Sequence, residues 1–150
     1  MKNGESINKR ALLSGITLES SEASTQAVAD RLMMDTSNCD VLNLVATYTT
    51  GSAETNNTAA ITVWGYAGTK GLEAEIAADT SGWYQIGTSA NSSGTVTFTA
   101  SHFDIVGASA ATAYNAHFII PITWSRIRIA ASESGVAANK GTLTVIASAK

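Results

Sequence analysis

The segment CDVLNLVATYTTG, residues 39–51, decides the fold class. Its side chains form two alternating sets, Val41, Asn43, Val45 and Thr47 on one side and Leu42, Leu44, Ala46 and Tyr48 on the other. Successive side chains of a β-strand point to opposite faces of the sheet. Val, Thr and Tyr also fit a pleated surface well. The segment therefore predicts a β-strand.

Segments of the same kind lie on both sides of this strand, with turn-forming residues between them. They are ALLSGITLES (11–20), AAITVWGYAG (59–68), GLEAEIAAD (71–79), SGWYQIGTS (81–89), SGTVTFTAS (93–101), AYNAHFIIPITWSRIRIA (113–130) and GTLTVIASA (141–149). Short strands at such regular spacing are typical of all-β sandwiches and barrels. We expect an all-β fold, a single antiparallel β-sandwich of roughly eight to ten short strands, either jelly-roll or immunoglobulin-like.

Two local patterns refine this expectation. Residues 39–51 and 59–68 are predicted to form a hairpin, because a stretch with turn composition joins them. The segment GLEAEIAAD fits a further strand, with Leu72, Ala74 and Ile76 turned inward. The sequence therefore predicts little helix, less than about 15% of the chain.

The chain is expected to form one domain. Residues 1–10 are polar and predict a flexible N-terminal arm, and residues 11–150 predict a single β-sandwich domain. Within it, residues 24–35 fit either a short helix or an extended run, and the pattern does not decide between them. Pro121 lacks a backbone N–H, so the strand that contains it must lie at a sheet edge, bulge or break there.

The composition is unusual in its low charge. Charged residues make up 14% of the chain, against about 25% in a typical globular domain. A hydroxyl-rich surface of this kind suits a protein covered by neighbouring subunits, although a low-charge monomer would share it. The net charge of −3 argues against nucleic-acid binding, which needs a basic surface. No apolar run is long enough to predict a membrane span, and no apolar region follows the basic N-terminus to predict a signal peptide.

The sequence offers no convergent set of catalytic or metal-binding residues. His102 lies beside Asp104 at the end of a predicted strand, and His117 lies on the outer face of another. No G-x-S-x-G motif accompanies them, and no phosphate-binding loop is present. Cys39 is the single cysteine, which excludes an internal disulfide. We therefore expect a protein that is not an enzyme and has no catalytic residue, cofactor or metal.

The segment ITWSRIRI, residues 122–129, supplies the candidate interface. Read as a strand, it places Ile127 and Ile129 on one face and Trp124, Arg126 and Arg128 on the other. If the isoleucines face the core, the Trp-Arg-Arg row faces solvent. Trp and Arg are the residues most enriched in binding hot spots, and Arg can stack on Trp. The row predicts a subunit interface, or else a tucked Trp with two solvated arginines.

The N-terminal arm contributes the other candidate contacts. Lys2, Lys9 and Arg10 are basic in an acidic protein, so they could pair with carboxylates on a partner. Exposed ion pairs are weak, about 0–1 kcal/mol each, and the arm would tune binding without creating it. The three tryptophans allow a separate interpretation, a sugar-binding aromatic platform, which competes with burial in the core.

The order of these segments resembles a known kind of protein. The strand pair is followed by a W-x-x-I-G-like strand, an aromatic-x-R-I-R-I-like strand and a closing G-x-L-x-V strand. The matching residues are Trp83, Ile86 and Gly87, then Trp124, Arg126, Ile127, Arg128 and Ile129, then Gly141, Leu143 and Val145. This pattern, over about residues 25–150, resembles small β-sandwich virion proteins of tailed bacteriophages, of the head-decoration or tail-accessory type.

The resemblance implies a non-enzymatic structural role. The expected protein is a capsid decoration or cement protein on the outer surface of a phage head. Its partners would be the major capsid protein or other virion proteins, and it would form a homo-oligomer without binding nucleic acid or membrane. It would be assembled in the host cytoplasm and located in the virion. The alternative is a carbohydrate-binding or adhesin-like β-sandwich module of a phage tail.

Overall fold

A computed structural model describes residues 8–18, 33–52, 57–92, 95–134 and 140–150. The described elements are β1 (Asn8–Thr17), β2 (Met34–Asp35), β3 (Val41–Thr49), β4 (Asn57–Tyr66), α1 (Glu73–Ala78), β5 (Trp83–Gln85), β6 (Gly87–Ser92), β7 (Thr95–Ala100), β8 (Phe103–Gly107), β9 (Ala113–Pro121), β10 (Arg126–Ser134) and β11 (Thr142–Ala149). Strands thus dominate the described ranges, as the alternating segments predict.

The strands form two antiparallel sheets that pack face to face. Sheet A has the order β1-β11-β3-β9, and sheet B has the order β2-β10-β4-β5. The short strands β5 and β8 share one edge of β4, since β8 pairs with its first half and β5 with its end. Strands β6 and β7 form a separate two-stranded hairpin. The predicted all-β sandwich is confirmed.

The chain passes repeatedly from one sheet to the other. Strands β1, β3, β9 and β11 belong to sheet A, while β2, β4, β8 and β10 belong to sheet B. In both sheets the late strands insert beside the early ones, β11 between β1 and β3 and β10 between β2 and β4. This arrangement of eight strands in two interlocked Greek keys is the jelly roll. Of the two sandwich types left open by the sequence, the strand order therefore selects this one.

The core lies between the sheets and is made by inward side chains of the central strands. They are Leu42, Leu44, Ala46 and Tyr48 from β3, Ile61 and Val63 from β4, Ile127 and Ile129 from β10, and Leu143, Val145 and Ala147 from β11. On β3 and β11 every second residue is buried. On β10 both faces are covered, so five consecutive residues are buried. The center of sheet B therefore has cover on both sides.

The predicted hairpin of residues 39–51 and 59–68 is wrong. Strand β3 pairs with β9 and β11 in sheet A, whereas β4 pairs with β10, β5 and β8 in sheet B. Each strand carries an apolar face, and placing them in opposite sheets lets those two faces pack against each other. Side by side in one sheet, both faces would still need a second layer.

The segment GLEAEIAAD forms the helix α1 and not the predicted strand. Its Glu and Ala residues favour helix, and Glu73 and Glu75 lie in the first turn, where the helix dipole favours acidic groups. Ile76 is buried, but Leu72 is 67% exposed. The apolar alternation in this segment therefore does not mark a face that packs against the core.

The N-terminal boundary of the domain also differs from the expected one. Residues 8–10 belong to β1, where Asn8 pairs with Ala149 and Arg10 with Ala147 of β11. Because this pairing supplies the backbone with ladder hydrogen bonds, the predicted arm is corrected at these residues. Residues 1–7 lie outside the described residues.

Two further expectations concern chain breaks. Pro121 is the last residue of β9, and β9 is an edge strand of sheet A, so the edge position predicted for the proline is confirmed. Most of the ambiguous segment 24–35 lies outside the described residues. Its end, Met34–Asp35, forms the short edge strand β2.

The assignment of the core face can be tested with one matched pair of isoleucines. Ile127 is fully buried, whereas Ile119 on β9 is 65% exposed. Ile127→Ala leaves a cavity and should lower the free energy of unfolding by about 2–5 kcal/mol. Ile119→Ala should change it by no more than about 0.5 kcal/mol. Urea unfolding of both variants measures the difference, and equal effects would contradict the core assignment.

Candidate functional site

The predicted Trp-Arg-Arg row does not form an exposed face. The strand β10 starts only at Arg126, so Trp124 precedes it and does not share its alternation. Trp124 is half-buried, and its ring lies so close to Gly65 of β4 that an added Cβ atom would approach it to 2.3 Å. Ile127 faces the core as predicted. Arg128 is only 6% exposed, so the prediction that it faces solvent is wrong.

Arg128 lies against two tryptophan rings, one on β4 and one on β5. Its guanidinium carbon lies 4.5 Å from the ring center of Trp83 and 5.7 Å from that of Trp64. At these distances a guanidinium is attracted to the faces of the rings. The indole N–H of Trp83 in turn donates a hydrogen bond to the carbonyl oxygen of Ile76 in α1, at 3.1 Å. Arg128 is therefore joined through Trp83 to α1, whose Ile76 packs with Tyr66 and Trp83 in a buried cluster.

Arg126 makes ion pairs within its own chain. Its Nη1 lies 2.7 Å from Oδ1 of Asp35, and its Nε donates to Oε1 of Glu73 at 2.8 Å. Asp35 belongs to β2 and Glu73 to α1, so one side chain joins three elements. Arg126 and Arg128 therefore both make stabilising contacts within the chain. An interface role for Trp124 and Arg126 stays a prediction.

The candidate contacts of the N-terminal arm are only partly described. Arg10 is exposed and its guanidinium donates a hydrogen bond to the carbonyl oxygen of Met33. Lys2 and the side chain of Lys9 lie outside the described part of the structure. The predicted role of these three residues in binding a partner stays a prediction.

The covering segment, residues 67–82, is shaped by Asp79. The Tyr66 hydroxyl donates to Oδ2 of Asp79 at 2.8 Å, and the backbone N–H groups of Ser81 and Gly82 donate to Oδ1 at 2.9 and 3.1 Å. The hydrogen bonds from Ser81 and Tyr66 lower the pKa of Asp79 to about 2. An added Cβ at Gly68 would come within 2.3 Å of the Tyr66 hydroxyl. This loop is therefore closed around an ionised carboxylate.

An exposed surface that the sequence did not single out lies on the opposite side of the molecule. We call it the neutral face: the outward side chains of β3, β9 and β11. They are Val41, Asn43, Val45, Thr47 and Thr49, then Ala113, Asn115, His117, Ile119 and Pro121, then Thr142, Thr144, Ile146 and Ser148. None of these residues is Asp, Glu, Lys or Arg. Three adjacent strands thus present a surface without formal charge.

Two pairs of polar side chains on the neutral face are hydrogen-bonded across the strands. The Thr47 hydroxyl donates to Oδ1 of Asn115 at 2.8 Å. Nε2 of His117 lies 3.3 Å from Oδ1 of Asn43. Polar groups that already have partners lose less free energy when water is removed. The face can therefore be covered by another protein at a modest desolvation cost.

The center and edge of the neutral face are apolar and exposed. Val45 is 50% exposed and Ile119 is 65% exposed. Three strands about 4.8 Å apart, with about nine residues at a rise of about 3.3 Å, give a plane of roughly 430 Å². Stable interfaces bury about 800 Å² on each partner. The neutral face is thus about half the size of one side of a standard protein–protein interface, so a single contact through it would be small.

The composition of β3, β9 and β11 indicates this face in the sequence. Alternate positions of residues 41–49, 113–121 and 142–149 carry Thr, Asn, Val and Ile but no charge. A solvated face normally carries charged residues at such positions. The strand order needed to bring these three sets together is set by non-local pairing, which the sequence pattern does not show.

Both histidines of the chain are exposed. His102 and Asp104 are exposed, and His117 lies on the neutral face. Within the ranges that the structure describes, no group of three or more His, Cys, Asp or Glu side chains could hold a metal ion. Within the same ranges, no helix has the length and apolar composition that a bilayer span requires.

Comparison with known proteins gives little further information. No family model matches the sequence, and no curated protein matches it. Dimeric latent PorU from Porphyromonas gingivalis aligns at a TM-score of 0.42 and 10% identity, over 96% of this chain and 10% of PorU. The stem and receptor-binding domain of spike protein P1 from bacteriophage PM2 aligns at 0.41 and 8% identity, over 94% of this chain and 66% of that one. At these TM-scores neither likeness supports a conclusion about this chain.

The role of Asp79 predicts an acid transition in the covering segment. Its pKa is about 2 in the folded protein and about 3.9 in an unfolded chain, so folding favours the ionised form. This contribution is present above about pH 4 and is lost as the pH falls towards 2. The fluorescence of Trp83, which packs against Tyr66, should change over that window.

Two variants separate Asp79 from the other carboxylates. Asp79→Asn should alter the fluorescence already at pH 7 and reduce the change on acidification. Asp104→Asn removes an exposed carboxylate on β8 and should leave the transition as in the wild type. An unaltered transition in Asp79→Asn would show that another group closes the loop.

Proposed function

We propose that this chain is a non-enzymatic structural protein of a virion that self-associates through the neutral face. The observation that carries the proposal is an exposed sheet face with no formal charge on three adjacent strands. The partner that binds the neutral face is a second copy of the same chain. Contacts with the major capsid protein or other virion proteins would be made by surfaces other than the neutral face.

Charge favours a second copy as the partner of this face. The chain has a net charge of −3, so two copies repel each other at long range. Apposing two neutral faces places no like charges opposite one another, whereas like-charge contacts are strongly unfavourable. Val45, Ile119 and Ile146 would gain burial in the contact, which is favourable in proportion to the apolar area removed from water. Each contact is small, so many repeated contacts in an assembly would add strength.

The viral role rests on the composition and on the resemblance of the strand pattern. Few charges and many hydroxyls suit a protein whose surface is largely covered in an assembly. Jelly rolls occur in viral capsid proteins and in lectins, and the fold alone does not decide between them. The preferred form of the proposal is capsid decoration on the outer surface of a phage head. The alternative, an adhesin-like tail module, is favoured by one specific feature, an aromatic cleft described below.

Self-association through the neutral face can be tested by adding a charge to it. In Ile119→Asp the new carboxylates would lie close together in a symmetric contact and repel. The wild type should sediment as an oligomer at about 50 µM, and the variant should dissociate at least tenfold more readily, a change of about 1.4 kcal/mol. Analytical ultracentrifugation over a concentration series measures both.

The matched control is Val106→Asp, which adds the same charge at a position 61% exposed on β8 of sheet B. It should associate like the wild type. A monomeric wild type, or an equal loss in both variants, would contradict the proposal. Immunogold electron microscopy of particles carrying the chain would separate the two viral roles, because label on heads indicates decoration and label on tails indicates the adhesin alternative.

A further inference from the structure

A cleft opens at the β5 edge of sheet B, away from the neutral face. Its volume is about 460 Å³, within the range of about 300–1,000 Å³ typical of small-molecule sites. Among the described side chains, its lining consists of Tyr84, Gln85, Ile86, Gly87 and Trp124. Tyr84 is 55% exposed and Trp124 is half-buried. Two aromatic side chains therefore stand accessible in one concave site.

The register of sheet B explains why the cleft forms there. Gly65 pairs with Tyr84 on one side and with Ile127 on the other. These three positions share the inner face of the sheet, and Gly65 has no side chain to fill it. The Trp124 ring lies in the space that Gly65 leaves. Tyr84 stands beside this ring on the short edge strand β5.

The walls of the cleft are held in place by hydrogen bonds. The Thr36 hydroxyl donates to the carbonyl oxygen of Trp124. The backbone N–H of Ile86 donates to Val63 at 2.8 Å, and the carbonyl oxygen of Ile86 accepts from Ser101 at 3.0 Å. Fixed walls reduce the entropy lost when a ligand binds. They also leave no free backbone pair at Ile86 for an added peptide strand, which needs such groups.

The chemistry of the lining selects a neutral, amphipathic ligand. None of the described lining residues carries a formal charge at neutral pH, so nothing there compensates an anion or a cation. Tyr84 and Trp124 supply flat apolar faces with polar tips. The Gln85 amide can both donate and accept hydrogen bonds. A ligand that matches has one apolar face and a rim of hydroxyl groups.

We infer that this cleft is a saccharide-binding site in which a pyranose ring stacks on Tyr84 and Trp124. The C–H face of the sugar covers the aromatic rings, and its hydroxyls reach Gln85 and water. A single sugar unit has few atoms, so its dissociation constant should be on the order of 1 mM. The site does not depend on self-association, but an oligomer would display several copies and bind a polysaccharide more tightly.

The experiment uses the full chain and defined sugars. Saturation-transfer NMR with a pool of glucose, galactose, mannose, fucose, N-acetylglucosamine and N-acetylgalactosamine should show transfer to the ring C–H protons of at least one sugar. The indole N–H signal of Trp124 should shift in the reverse titration. An array of longer glycans then identifies the preferred unit. No transfer from any pooled sugar together with no array signal would overturn the inference.

Three variants locate the site. Tyr84→Ala removes an exposed ring without opening the core and should weaken binding at least tenfold. Tyr84→Phe keeps the ring and should stay within about threefold of the wild type. Leu72→Ala, at a similarly exposed position outside the cleft, should bind normally. Undiminished binding by Tyr84→Ala would overturn the assignment. Ile119→Asp should bind sugar like the wild type, so a failure of self-association and a failure of this site remain distinguishable.

Discussion

The antiparallel pairing of β4 with β10 is the contact on which the rest of the structure depends. It runs without a shift from Ile127 opposite Gly65 to Ser134 opposite Thr58. A slip of one residue would turn every side chain to the other face. In this register Ile127 and Ile129 enter the core, Arg128 lies beside Trp64 on the outer face, and Gly65 leaves room for Trp124. The core, the cover of residues 67–82 and the aromatic cleft therefore all follow from one ladder.

Local alternation was enough to predict the strands that have one buried face. The positions of β3 and β11 were readable because burial there alternates strictly. The burial of Arg128 could not be predicted, for a physical reason: its cover comes from the rings of Trp64 and Trp83, which lie more than forty residues earlier in the chain, and no local pattern reports that contact. The helix α1 could not be predicted, because Leu72 and Ile76 are spaced in a way that fits both a helix and a strand. Only the structure shows that Leu72 is exposed and Ile76 is buried.

The neutral face and the aromatic cleft also differ in how far the sequence predicts them. The low proportion of charged residues is reflected in one surface of the structure, because three strands of sheet A carry no formal charge on their outer side. The cleft depends on a glycine in one strand facing a tryptophan in a connection about sixty residues later. The composition could suggest an assembly protein and an aromatic platform. Which residues form these surfaces depends on strand pairings between distant segments, which the composition does not show. The predicted Trp-Arg-Arg row was thus divided between a stabilising role for the arginines and a place in the cleft for Trp124.

The position of β11 has a consequence for the timing of folding. This strand lies between β1 and β3, so sheet A has a gap at its center until β11 has been synthesised. Contacts between segments this far apart in sequence form slowly, because a long loop must close first. The neutral face is consequently complete only once β11 has paired with β3 and closed the center of the sheet.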